Sequence, residues 1–560
     1  MSCVSKEQLV IIRRAASRIA KKYKIAGLCL YGSRVAGYSR TDSDFDLIIV
    51  LHDYPYAVKY IYAVEEDMKI SALVVDLVKF EKDAISSFLG EFVIGRLLHI
   101  YEPIQNKDLF ERLEVVYKKR VILDEIQNIV KSANVLSTQI VFPLEYIMFS
   151  KVRYRSILYP NATYSYYHTY TGGNARLNIE FALIGYQKAL SEILSDDKEL
   201  LITDPCGKAM QISEKKVDVQ RNKKIASLKL TKKLQEFSSY FIHAYAGRHT
   251  LHHAIKEAES KISRHKANPI ILPKFIANPK ELYWKLPEGL VLVVDDKDWL
   301  GQIAKSNGFS KYTVSKKHIL ATGKGVTVLY VIQDPDNQTI TKSLVIKSMI
   351  KPDPVRWPAL HKLSTTIDVS RSDPLFRLGN EYKALRHIRF IGLHAPIIQS
   401  VVLNRMMLVT EFIEGKSISD MLKQYSNKND VHHSLRWVNA AGKNIAKIHA
   451  CKCTLGNIKP SNLIVSNNRV YFTGVDEFGF NTGDPLLDII SFISHMSENI
   501  LTNLVVSKQI LEAFLKGYLK EAPQHIKKAL ISGRDQQTLY NKFNPLIAQT
   551  IKEGISKFVN

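Results

Sequence analysis

Residues 31–51, YGSRVAGYSRTDSDFDLIIVL, carry the strongest structural signal in this chain. An apolar run ends in the turn Gly32-Ser33, a polar loop follows, and Asp44-x-Asp46 opens a second apolar run. Residues i and i+2 of a β-strand project to the same side, so Asp44 and Asp46 are expected together. Two neighbouring carboxylates repel unless a cation lies between them. Hard oxygen donors of this kind suit Mg²⁺, which is held through one or two carboxylates plus substrate phosphates. Gly32 and Ser33 add backbone amides and a hydroxyl able to hold a phosphate. The stretch predicts a nucleotide-handling metal site where two strands meet.

A third acid, Asp76, stands in the apolar run Ala72–Phe80, which reads as a strand. A charge inside such a run is costly unless it is paired or binds a metal. Gly32-Ser33, ten intervening residues, Asp44-x-Asp46 and a later strand acid together resemble the nucleotidyltransferase signature of the DNA polymerase β superfamily. The resemblance covers residues 1–104. It implies a small mixed sheet in which Asp44, Asp46 and Asp76 hold metal and carry the catalysis, while Gly32 and Ser33 position the β- and γ-phosphates. The elements around the motif read as a helix opened by a capping box at Ser5-x-x-Gln8, a strand Leu28–Tyr31, a strand Asp46–Leu51 and a helix Tyr56–Lys69. The strand Ala72–Phe80 and an apolar segment Phe92–Ile100 follow.

The whole chain, 560 residues, is too long for one core, and length alone suggests about three or four domains. No apolar run is long enough to span a membrane. The five cysteines are scattered, and Cys451-x-Cys453 does not have zinc-knuckle spacing. Together with an N-terminus that lacks the layout of a signal peptide, this points to the reducing cytoplasm. The net charge of +24 favours polyanionic partners, RNA among them.

From Asn106 onward, apolar residues recur at helical spacing through Ile129, and Arg176–Leu194 is again helical. Tyr154–Tyr170 is crowded with tyrosines beside Lys151, Arg153 and Arg155. Such a stripe either packs helices or stacks bases. Lys208–Lys266 is rich in Lys and Arg and forms either a nucleic-acid groove or a solvated helical face. Pro269, Pro273 and Pro279 mark a linker.

A second constellation follows. Val345-Ile346-Lys347 closes a strand-like run, Asn380-Glu381 opens a helix, and Leu408–Glu411 is a strand. LGNIKPSN (Leu455–Asn462), Val475-Asp476-Glu477-Phe478 and GDPLLD (Gly483–Asp488) come next. In this order they resemble a protein-kinase-like fold of the Bud32-like and aminoglycoside-phosphotransferase-like branch, over residues 286–560. The resemblance implies that Lys347 holds the α- and β-phosphates and pairs with Glu381. It implies Glu411 in the hinge beside adenine, Asn462 and Asp476 on Mg²⁺, and Asp488 bracing the catalytic loop. Two features depart from the pattern. Asn457 stands where the catalytic acid belongs, and a positioned base is typically worth 10²–10⁴-fold. The only glycine-rich candidate, Thr322-Gly323-Lys324-Gly325, lacks a third glycine. Asn457 is then at most a nucleotide contact, and the half reads as a pseudokinase or regulatory module.

The expected architecture is a multidomain α/β and α+β chain. A small nucleotidyltransferase mixed sheet (1–104) is followed by a helical basic middle region (105–285). A kinase-like domain of two lobes (286–415 and 416–560) completes it. The expected activity is Mg²⁺-dependent transfer of NMP from an NTP, ATP foremost, to a hydroxyl on an RNA end or a protein side chain. Two alternatives stand beside it: an atypical ATP phosphotransferase acting through the C-terminal half, and a non-catalytic RNA-binding or interaction protein.

Overall fold

The computed structural model describes residues 4–204, 207–215, 217, 271–294, 298–322, 325–336, 341–349, 373–423, 431–497 and 504–531, with 549 and 553. The chain is mixed α/β and divides into two compact units: residues 1–132 with 137–287, and residues 288–560 with 133–136.

In the first unit, α1 (Lys6–Ala20) opens with a reciprocal capping box. Gln8 N donates to Ser5 Oγ at 3.2 Å, and Ser5 N donates to Gln8 Oε1 at 3.0 Å. The strands are β1 (Ile25–Tyr31), β2 (Phe45–Leu51), β3 (Val58–Glu65), β4 (Met68–Asp76) and β5 (Tyr101–Gln105). They form one sheet in the order β3-β4-β2-β1-β5. Only β2 and β4 run parallel. One face packs Leu28, Leu30, Phe45, Leu47, Ile49, Ile70, Ala72 and Val74 against Ile12 and Ala16 of α1.

Two elements differ from expectation. Residues 56–69 do not form a helix; they supply β3 and the start of a β3–β4 hairpin. Val, Tyr and Ile dominate β3, and the loop residues Glu66 and Asp67 both take positive φ (45° and 62°), as a two-residue hairpin turn requires. The strand expected over Ala72–Phe80 starts earlier and stops at Asp76, where α3 (Leu77–Ser86) begins.

The middle region is helical, with α4 (Lys107–Ala133), α5 (Leu144–Leu158), α6 (Thr163–Thr171) and α7 (Ala175–Asp196). The tyrosine-rich stretch largely packs inward: Tyr159, Tyr166, Tyr170 and Arg155 are buried. Arg155 Nε donates to the Tyr166 hydroxyl at 3.0 Å, and Nη1 donates to the Glu91 carbonyl at 2.8 Å. Lys151 lies 2.7 Å and Arg120 3.0 Å from the Glu91 carboxylate. Burial alone would push that carboxyl up, but the cations outweigh it and hold it well below the usual carboxylate range. Most of Lys208–Lys266, including Lys216, Arg221, Lys223, Lys224, Lys232, Lys233 and Arg248, lies outside the described residues, as do Pro269, Gly323 and Lys324.

The second unit opens with strand β6 (Val291–Val293) and helix α8 (Trp299–Ser306). Then come β7 (Thr313–Thr322), β8 (Gly325–Gln333), β9 (Thr341–Met349), α9 (Pro374–Phe390), β10 (Ile398–Val402) and β11 (Met407–Glu411). These six strands form one sheet in the order β7-β8-β9-β11-β10-β6. Its core includes Val293, Ile303, Ile332, Leu344, Ile346 and Val409. A helical part follows, with α10 (Val431–Ala450), α11 (Pro485–Ser497) and α12 (Leu504–Glu521). Helices α10 and α12 approach backbone to backbone. A Cβ on Gly442 would overlap the Phe514 carbonyl, and one on Gly517 the Asn439 carbonyl. Among the described residues no helix is long and apolar enough to cross a membrane.

Candidate functional site

In the first unit the strand registers assemble one row across the sheet. Tyr101 pairs with Tyr31, Tyr31 with Asp46, Asp46 with Ser71, and Ser71 with Tyr62. Directly paired residues project to one face, so these five side chains share the face opposite α1. Asp44 precedes the same strand with the same parity, and both acids are half-buried. Gly32 takes φ +85° and its Cα abuts the Asp46 carboxylate; a side chain there would overlap Asp46 Oδ2. Ser33 begins the short helix α2 (Ser33–Ala36) that leaves this point.

The loop between Ser33 and Asp44 is ordered by its own polar groups. Arg40 N donates to Ser43 Oγ at 2.8 Å. The Arg34 guanidinium donates to the Ser43 carbonyl and lies 3.9 Å from the centre of the Phe45 ring. Asn178 Nδ2 of α7 donates to the carbonyls of Ala36 (3.0 Å) and Thr169 (2.9 Å), joining the Gly-Ser turn to α6 and α7. Tyr38 stacks on His168 of α6 with ring centroids 5.4 Å apart. Burial pushes the Tyr38 phenol up to about 12. Arg96 lines the same face: its Nη2 donates to the Tyr60 hydroxyl at 3.4 Å, and its guanidinium lies 5.7 Å from the Tyr31 ring.

Asp76 does not join Asp44 and Asp46. The parallel register sets it opposite Leu51, five residues beyond the Asp46–Ser71 pair, about 16 Å along the strand. Five is odd, so its side chain also belongs to the other face. There it caps α3: Asp76 Oδ1 accepts from Lys79 N at 3.1 Å and Oδ2 from Tyr54 N at 3.2 Å. The costly charge in an apolar run is explained by capping. Ser71 occupies the position beside Asp46 that a third carboxylate would need.

The donor set bears on the metal. Among the described residues no group of three His, Cys, Asp or Glu is placed to hold an ion. Two adjacent carboxylates still fit Mg²⁺ that completes its shell with phosphate oxygens and water.

In the second unit, Lys347 of β9 reaches α9: Nζ lies 2.7 Å from Glu381 Oε2 and 3.3 Å from Asp476 Oδ1. Burial lowers this ammonium's pKa, yet the two carboxylates outweigh burial and keep it charged. Arg377, one turn before Glu381, brings Nε to 2.7 Å from Asp476 Oδ2. Asn380 Nδ2 donates to the carbonyls of Asp476 (3.0 Å) and Phe478 (2.8 Å). The Asn462 amide donates to the Gly474 carbonyl at 3.2 Å, and Asn457 Oδ1 accepts from Ser491 Oγ at 3.1 Å. Asp488 Oδ2 accepts from Leu455 N at 2.5 Å and lies 3.0 Å from His449 Nε2. Glu411 ends β11 with Oε1 accepting from Ile397 N at 2.8 Å.

Ser71, Arg377 and His449 were not singled out by the sequence. Arg377, Asn380 and Glu381 stand at i, i+3, i+4 spacing on one helix, which is a readable signal. Ser71 has none, because its partner is set by the register.

Residues 15–103 match the family described as Polymerase beta, Nucleotidyltransferase. A separate region is similar to the KEOPS complex subunit Bud32 of Pyrococcus abyssi, with 25% identity over 146 residues. That match covers 26% of this chain and 63% of the relative. The region is also similar to the probable serine/threonine-protein kinase BUD32 homolog of Archaeoglobus fulgidus, 28% identical over 155 residues, covering 28% of this chain and 71% of that protein. The chain spans just under two-thirds of the length of the Pyrococcus relative. It thus joins a nucleotidyltransferase domain of polymerase β type to a Bud32-similar region.

Proposed function

We propose that this chain moves a nucleoside monophosphate from an NTP to a hydroxyl acceptor at the Asp44–Asp46 edge of its first sheet. The observation that carries this reading is the placement of the Asp46 carboxylate against Gly32, within a region of nucleotidyltransferase type. The side chain missing at Gly32 leaves backbone at the point where phosphates would approach, and the Ser33 hydroxyl stands beside it. Asp44 and Asp46 would hold Mg²⁺, which would neutralise triphosphate charge and polarise the α-phosphate. Arg96 and the tyrosines of the same face bound the site, and Ser71 offers a neutral hydroxyl next to Asp46. Catalysis is then mostly positioning and charge neutralisation. Asp76 serves the fold.

We divide the chain at 104, 285 and 415 and read residues 286–560 as a nucleotide-binding, regulatory module. Lys347 and Glu381 face the phosphates, Glu411 the hinge, and Asn457, Asn462 and Asp476 line the remainder. Asn457 in the base position weighs against phosphoryl transfer. The formed Lys347–Glu381 pair favours the second reading, an ATP phosphotransferase. A net charge of +24 supports RNA as acceptor.

The test is a supply of α- and γ-labelled NTPs, Mg²⁺, RNA and protein. Transfer of α-label that is lost in Asp46→Asn supports the proposal. Transfer of γ-label alone, lost in Lys347→Ala, would replace it with the second reading, and movement of neither label would leave a binding protein.

A further inference from the structure

We infer that the kinase-like half holds its nucleotide free of divalent metal, with Arg377 and Lys347 standing where a cation would bind Asp476. The inference rests on the reading that this half binds nucleotide.

Both oxygens of the Asp476 carboxylate are engaged by cations: Oδ2 by Arg377 Nε at 2.7 Å, and Oδ1 by Lys347 Nζ at 3.3 Å. The Arg377 side chain is 4% exposed and that of Asp476 is 12%, so water does little to weaken the pair. The arrangement is held from outside as well. Asn380, one turn along α9 from Arg377, donates to the Asp476 and Phe478 carbonyls and fixes the loop that carries the carboxylate. Freeing Asp476 for a metal would break its 2.7 Å bond to the buried Arg377 guanidinium.

The remaining candidate ligands do not compensate. Asn462 points its Nδ2 at the Gly474 carbonyl, and Asn457 Oδ1 accepts from Ser491. Mg²⁺ needs near-octahedral oxygen donors at about 2.0–2.1 Å and favours carboxylates. Here the candidate ligands are two amides and one carboxylate already paired with two cations, a poor match. The same two cations suit a polyphosphate. Lys347 offers its ammonium to a triphosphate, and Arg377 neutralises the Asp476 carboxylate that would otherwise repel the phosphates. The ligand class is therefore a nucleoside di- or triphosphate without its metal.

Calorimetric titration of full-length protein with ATP tests this, in an Asp46→Asn background that weakens the metal-dependent first site. The titration is run once with excess MgCl₂ and once with EDTA. We expect affinities within about threefold of each other, and a loss of about tenfold or more in EDTA for both Lys347→Ala and Arg377→Gln. Lys347-dependent binding that needs MgCl₂ would overturn the inference while leaving the nucleotide-binding reading intact. Absence of Lys347-dependent binding in both buffers would overturn both. Arg377→Gln that binds in EDTA as tightly as the parent would also overturn it. Should Arg377→Gln fail to fold, the comparison of the two buffers on the parent protein decides.

Discussion

Three aspartates of the first unit separate by place. Asp46 projects from the sheet with Gly32 against it, Asp44 stands two residues before it in the loop, and Asp76 caps a helix on the other side. Asp44→Asn and Asp46→Asn should each lower α-label transfer by about 10²-fold or more, with thermal unfolding unchanged. Asp76→Ala should keep transfer within a small factor and cost about 1–2 kcal/mol in urea unfolding, the range of a lost helix cap. A collapse of transfer in Asp76→Ala with the fold intact would return that residue to the catalytic set. Gly32→Ala should mimic the Asp46 variants, because its Cβ enters the carboxylate's space at a strained φ.

At the scale of elements, the end of α3 is stitched to the segment after it by Asp83. Its Oδ1 accepts from the amides of Leu89 (2.8 Å) and Glu91 (3.0 Å), and its Oδ2 from that of Ile94 (3.1 Å). Burial pushes this carboxyl from 3.8 up to about 6, against the pull of those amides. A folded value above the unfolded one means that the protonated form is favoured on folding. The contribution is full below 3.8 and is lost as pH rises through about 6, up to about 3 kcal/mol in all. Urea midpoints for the protein and for Asp83→Asn, compared from about pH 4 to pH 7, should show the parent losing ground as pH rises. A pH-independent difference would contradict this. Glu91, held low by its three cations, has the opposite sign and contributes above 4.5. The crossing of α10 and α12 depends on absent side chains, so Gly442→Val should destabilise by about 1–3 kcal/mol, read from denaturant unfolding.

For the molecule as a whole, charge is the property that no single element owns. A net +24 predicts RNA association governed by counterion release. Fluorescence anisotropy with a labelled single-stranded RNA should show log affinity falling linearly with log salt, losing about 10³-fold or more from 50 to 200 mM. Salt-insensitive binding would point instead to base stacking or to a specific contact. The chain also carries two separately built candidate sites, one in each unit. Asp46→Asn is therefore expected to abolish α-label transfer while leaving Lys347-dependent ATP binding in place.

Much of this protein was settled locally. The Gly-Ser turn and the paired acids are close in sequence, as is the capping box of α1, so spacing alone was enough to read them. The order Lys347, Glu381, Asn462, Asp476 was legible through its resemblance to a protein-kinase-like fold. Three things were decided only by tertiary structure. The place of Asp76 depended on the register between β2 and β4, which sets Ser71 beside Asp46 and Asp76 five residues further on; one odd step along a strand moves a side chain to the other face. Ser71 acquired its position beside Asp46 through the same register. Arg377 met Asp476 across 99 residues of chain, a separation at which packing, and not spacing, decides which charges touch.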